Sequence, residues 1–154
     1  MTTLRLAIRP GDILLFEGDT LTDDVIRLGT RSTWNHVAVA TNKPHILVEA
    51  LPGGVRMAPI TPAGPYWVVA AQALWSPATS AFCRAVVGEP YSYLNDLVAG
   101  LGLAPLTTRA WECAQLAAQI LRTMGWTVPA DCDTPQKVAM LLAARGCLFQ
   151  YQDF

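Results

Sequence analysis

Two short strings carry residue types that can do nucleophilic chemistry together. Trp34-Asn35-His36-Val37-Ala38-Val39-Ala40 places a histidine at the head of an apolar run, and Trp111-Glu112-Cys113-Ala114-Gln115 places a cysteine at the head of a helix-forming one. Thiol hydrolysis needs a thiolate and a base. A helix N-terminus favours the thiolate, because its exposed N–H groups and dipole stabilise negative charge and lower a thiol pKa from about 8.5. A neighbouring imidazole supplies the base, taking the thiol proton and returning it to the leaving group. The backbone N–H of Cys113 is the natural first donor to an oxyanion formed by attack on a carbonyl.

A third member is suggested by strand pairing. His36–Thr41 and Ile46–Leu51 are apolar, β-rich runs joined by the turn composition Asn42-Lys43-Pro44-His45. With Thr41 opposite Ile46, Ala38 faces Glu49 and His36 faces Leu51. His36 and Glu49 then lie diagonally on one face, within reach of each other. A carboxylate there can hold the imidazole in the tautomer that accepts the thiol proton. A one-residue slip would send Glu49 to the other face. His45 sits at the turn, ~20 Å from His36, and is a poor third member.

Each residue also has an ordinary reading. His36 is then a hydrogen-bonded strand-end histidine and Glu49 an exposed strand carboxylate. Cys113 lies on the stripe Cys113, Leu116, Ala117, Ile120, Leu121, Met124, the spacing of a buried helix face, where a cysteine is usually inert core. Its place in the first turn distinguishes it. Cys83 falls inside a helix, Cys147 follows Gly146, and Cys132 lies between two aspartates that disfavour its thiolate. Asp12 reads as a turn residue, Gln115 as solvated or supporting. Trp34, Tyr91, Tyr93 and Trp111 are available to line a substrate cleft, with ordinary core packing as the alternative.

The elements that must position these residues divide the chain. Ile13–Phe16, the hairpin, Val55–Ala58 and Trp67–Leu74 read as strands; Thr22–Leu28, Ala78–Val87, Ser92–Leu101, Ala110–Met124 and Thr134–Arg145 read as helices. Strands first and helices after predict an α+β fold, a small antiparallel sheet packed against helices. The whole chain, 1–154, reads as a single domain.

Composition narrows the function. The chain is 52% hydrophobic and 15% charged with a net charge of −1, which suits a core-rich globule and lacks the basic face of a nucleic-acid binder. Arg5 and Arg9 interrupt the apolar residues of the N-terminus, so no signal-peptide core is drawn, and Leu97–Leu106 is too short and too rich in glycine and proline to cross a bilayer. A cytoplasmic setting is the expectation. The four cysteines lack the close pairs of a zinc site, so neither metal nor cofactor is expected.

Four pieces of the chain, in order, resemble the permuted branch of the NlpC-type papain-like superfamily, which includes YiiX-like hydrolases and lecithin:retinol acyltransferase-like enzymes. They are Pro10-Gly11-Asp12-Ile13-Leu14-Leu15-Phe16, Asn35-His36-Val37-Ala38-Val39, Val48-Glu49-Ala50 and the helix opening at Cys113. Ordinary papain-type enzymes place cysteine before histidine; the reverse order here is that of a circular permutant. The resemblance implies a Cys113-His36-Glu49 triad, an acyl-enzyme intermediate, and hydrolysis of a peptide or amide bond, cell-wall peptide being one substrate class of relatives. It equally admits acyl transfer or thioester hydrolysis on a lipid, with Leu97–Leu106 receiving the chain. A non-catalytic binding module with a core cysteine is the remaining reading.

Overall fold

A computed structural model describes residues 7–17, 33–61, 64–91 and 111–152. Six short strands, β1 (Ile13–Phe16), β2 (His36–Ala40), β3 (Ile46–Leu51), β4 (Gly54–Pro59), β5 (Tyr66–Ala70) and β6 (Leu148–Gln152), form one antiparallel sheet. Its order is β4-β3-β2-β1-β5-β6. Among the described residues three helices accompany it, α1 (Pro77–Val86), α2 (Cys113–Thr123) and α3 (Pro135–Ala144).

Strand alternation sorts the apolar side chains into two layers. Ile13, Leu15, Val37, Val39, Val48, Ala50 and Val69 belong to one cluster with Cys83, Cys113, Leu116, Ile120, Leu121, Val138 and Leu142 of the helical part. Leu14, Ala38, Ala40, Leu47 and Val68 form a smaller cluster on the other face, joined by Phe16 and Tyr66. The helical layer therefore covers one face only among the described residues, and α2 packs across β2 and β3.

Local chemistry fixes the helix ends. Ser76 caps α1 by accepting from the Thr79 N–H, and the Ser76 N–H in turn donates to the Thr79 hydroxyl oxygen. Thr134 caps α3 through the Lys137 N–H, and Pro135 takes the first-turn position where no donor is missed. The N-cap of α2 is Glu112, whose side chain does not cap the first turn.

Two boundaries and one element depart from expectation. The helix expected from Ala110 starts at Cys113, because Tyr91 and Trp111 form a parallel bridge and the Trp111 N–H donates to the Pro90 carbonyl at 2.9 Å, holding that segment extended. β5 ends at Ala70 rather than Leu74: Gln72 adopts φ 53°, and that left-handed residue breaks the strand. The C-terminal strand β6 was not anticipated; it pairs with β5 from Tyr66↔Gln152 to Ala70↔Leu148, so the last element returns to the sheet. The expected helices Thr22–Leu28 and Ser92–Leu101, the segment Leu97–Leu106 and Tyr93 lie outside the described residues. No helix among the described residues is long and apolar enough to cross a membrane.

Two adjacent glycines show how β4 is placed. Gly53 and Gly54 have φ of 113° and 114°, but a Cβ on Gly53 meets nothing within 4 Å, whereas one on Gly54 would stand 2.7 Å from the Glu89 carbonyl oxygen. Both alanine variants carry backbone strain, and only Gly54→Ala adds a collision with backbone. Gly54→Ala is expected to cost about 1–3 kcal/mol and more than Gly53→Ala, read from urea unfolding; equal costs would contradict the close approach.

Candidate active site

His36 is the first residue of β2 and stands opposite Phe16 of β1. Its ring lies against the Phe16 ring with centroids 5.5 Å apart. In the second hairpin arm, Val39 pairs with Val48 and Ala40 with Leu47. This is the register expected from the turn, and it sets His36 and Glu49 on the same face. They meet directly: His36 Nε2 lies 2.8 Å from Glu49 Oε2. The site is largely enclosed, the two side chains being 16% and 10% exposed.

The second oxygen of that carboxylate is also engaged. Arg56 donates to Glu49 Oε1 from Nε at 3.0 Å and from Nη2 at 2.9 Å. Burial alone would push the Glu49 carboxyl up. The hydrogen bonds and charges of His36 and Arg56 outweigh burial and hold it below the ordinary range. An ionised carboxylate only accepts, so in the neutral ring Nε2 carries the proton and Nδ1 keeps the lone pair. Nδ1 is thus the basic atom.

Sequence reasoning missed Arg56. The signal was present: Pro52-Gly53 is a two-residue turn, Leu51 pairs with Gly54, and the ladder then runs to Glu49↔Arg56.

Cys113 opens α2, 4% exposed, within the cluster of Val37, Val39, Val48 and Ala50. Backbone pairings locate that helix end. The Trp111 N–H is tied to Pro90, the neighbouring Glu89 carbonyl accepts from Val55, and Val55 pairs with Ala50, near the end of β3 remote from its turn with β2. At the other end of α2, Met124 packs beside Gly11, whose N–H donates to the Ala40 carbonyl. Eleven helical residues and five strand residues each span about 16 Å. α2 therefore runs alongside β2, with Cys113 at the His36 end. The faces differ, however. Alternation directs His36 and Glu49 to the layer of Ala38, Ala40 and Leu47, and Cys113 belongs to the layer of Val37 and Val39.

The remaining thiols differ from a nucleophile. Burial pushes Cys83 and Cys132 up to about 11, and for Cys132 the adjacent Asp133 and Asp131 add to burial rather than lead it. Cys147 is also raised, again by burial. Of the four aromatic residues expected at the cleft, the three that are described, Trp34, Tyr91 and Trp111, pack against the cluster of Cys113. Trp34 precedes β2 by two positions; Tyr91 and Trp111 form the bridge before α2. Trp111 is held by its indole N–H to Glu89 and by an edge-on contact with Phe82 at 5.8 Å. Asp12 accepts from the Arg9 N–H at 2.8 Å, at the far end of β2, which agrees with a turn role. His45 adopts φ 59° at the turn, remote from His36.

No known protein family's sequence profile matches the chain, and no curated protein matches it. Among solved structures it is similar to YiiX, described as a metalloprotein, from Escherichia coli O157:H7. The TM-score is 0.56 at 18% sequence identity, over 92% of this chain and 84% of that one. At that identity the likeness establishes the fold. Among the described residues no group of three or more His, Cys, Asp or Glu is arranged to hold a metal ion.

The lowered Glu49 pKa makes a stability prediction. A carboxyl whose folded pKa lies below its unfolded value stabilises the fold above the unfolded value, and that contribution disappears as pH falls through the folded one. The loss of unfolding free energy in Glu49→Gln should therefore be full at neutrality and shrink only once pH falls below the ordinary carboxylate range, through the lowered folded value. A difference independent of pH would contradict the ionised, doubly bonded carboxylate.

Proposed function

We propose that the chain is a thiol hydrolase of the permuted papain-like type, acting on amide or peptide bonds, with cell-wall peptide within its range. Cys113 is the nucleophile, His36 the base and Glu49 the group that orients it. The observation that carries this reading is the 2.8 Å bond from His36 Nε2 to Glu49 Oε2, which leaves Nδ1 as the basic atom at the end of the sheet where α2 begins.

In the proposed cycle Nδ1 takes the Cys113 proton, and the sulfur attacks the substrate carbonyl carbon. The C=O pair moves to oxygen, where the Cys113 N–H donates to it. Collapse expels the amine, which receives the proton from Nδ1 and leaves a thioester. Water then attacks that thioester with the same nitrogen as base, releasing the acid and restoring the thiol. Glu49 stays ionised throughout and stabilises the imidazolium that forms twice in each turnover. The first-turn position of Cys113 at the N-terminus of α2 favours the thiolate. The reading requires the sulfur and Nδ1 to meet beyond the first residue of β2, because His36 leaves the sheet on the face away from α2.

A metal does not suit this dyad. Both oxygens of Glu49 are already bound, and one of them faces the Arg56 guanidinium, a charge that opposes a second cation. A second reading, a binding module in which Cys113 is a core thiol, is favoured by the 4% exposure of that residue and its place among Val37, Val39 and Leu116.

The two readings separate by turnover of a panel of amide, peptide and acyl-ester substrates. Cys113→Ser changes one atom and should leave the fold intact by circular dichroism while abolishing turnover; Glu49→Gln should retain a reduced rate, keeping a group that orients His36 but losing its charge. A folded Cys113→Ser protein that matches wild type on any substrate eliminates the thiol mechanism. Preference for long-chain acyl esters over peptides would move the substrate class to lipid without changing the triad.

A further inference from the structure

Arg56 is the charged neighbour of the dyad that the proposed cycle leaves without a task. An exposed arginine beside a carboxylate ordinarily contributes little, since water competes for both partners. Here the two sides are unequal: the guanidinium side chain is 55% exposed and the carboxylate 10%. The buried partner depends on the bond more than the exposed one does.

The geometry also goes beyond a single contact. Rotation of a carboxylate about its terminal torsion is soft, so one bond to His36 leaves its plane free to turn. Two donors on Oε1, fixed in the planar guanidinium fork, lock that plane while Oε2 remains on Nε2. The backbone delivers this fork. Arg56 stands directly opposite Glu49 in a β3–β4 ladder unbroken from Ile46↔Pro59 to Leu51↔Gly54. β4 is an edge strand, but the 88–91 segment clamps it: the Gly88 N–H donates to the Val55 carbonyl at 2.8 Å, and the Val55 N–H donates to the Glu89 carbonyl at 2.9 Å. That same segment holds Trp111 through Pro90, two residues before Cys113. One set of backbone bonds thus positions both the start of α2 and the strand that carries Arg56.

We propose that Arg56 is a positioning residue for His36, acting through Glu49: it fixes the carboxylate so that Nε2 keeps the ring proton and Nδ1 presents the lone pair. Its consequence for turnover rests on the thiol-hydrolase reading; its consequence for the imidazole does not. The fork makes lysine an incomplete substitute, because an ammonium offers Oε1 one compact donor instead of two fixed ones.

The test uses ring-nitrogen NMR on the full chain, in which His45→Gln leaves His36 as the sole histidine. In the neutral ring, the protein with Arg56 intact should show protonation at Nε2. Arg56→Ala should give a mixture of tautomers, and Arg56→Lys should restore most of the Nε2–H form. In the enzyme assay Arg56→Ala should lower kcat on the order of tenfold with KM little changed, a fraction of the about 10²–10⁴ that a positioned base contributes. An unchanged Nε2–H spectrum in folded Arg56→Ala overturns the proposal, as does an alanine variant with wild-type kcat. If the tautomer responds to Arg56 while no substrate is turned over by wild type, the positioning role stands and the hydrolase reading is what fails.

Discussion

A buried carboxylate must be paired, and nearly everything that gives this site its character follows from how Glu49 meets that constraint. Its two oxygens take partners from two different strands, His36 on β2 and Arg56 on β4, with β3 between them. Both hairpins must therefore hold their registers at once. A slip of one residue in either would reverse the faces and leave a charge without its partner in a low-dielectric setting, at a cost of several kcal/mol. The apolar alternation of Val37, Val39, Val48 and Ala50 against the helical layer opposes such a slip, so core packing and the polar cluster specify the same pairing.

The layering also defines what the chemistry has to accomplish. The sheet separates the His36–Glu49–Arg56 cluster from the layer in which Cys113 is buried, while the long axes of α2 and β2 bring the first residue of each to the same end. His36 and Cys113 occupy the strand-initial and helix-initial positions at that end. The burial that makes Cys83 and Cys132 poor nucleophiles would do the same at Cys113, unless the helix end and the imidazole together favour its charged form.

The parts of this arrangement that were legible in the sequence are those set by short-range rules. Asn42-Lys43-Pro44-His45 between two β-branched runs fixed one register, and with it the meeting of His36 and Glu49. Thr134-Pro135 and Gly146 marked the two ends of the last helix through capping chemistry, whereas the Ser76 cap of α1 went unread. What escaped depends on distant chain. Trp111 reads as a helix residue until Tyr91 and Pro90 hold it extended, and the glutamines of Leu148–Gln152 conceal a strand that exists because β5 offers an edge. Arg56 escaped because its role appears only when the Pro52-Gly53 turn is counted into the ladder. The likeness to YiiX at 18% identity makes the same point from outside the chain, since most side chains differ while the topology is shared.

The proposed mechanism requires the imidazole of His36 to act on the sulfur of Cys113 across the end of β2. The rate of Cys113 alkylation by iodoacetamide, followed against pH by peptide mapping in wild type and His36→Ala, tests it most directly. The account predicts that wild-type Cys113 reacts near neutrality with a midpoint well below the about 8.5 of an ordinary thiol, and that His36→Ala slows it and moves the midpoint upward. Identical profiles in the two proteins, with Cys113 reacting no faster than Cys83 and Cys132, would contradict it.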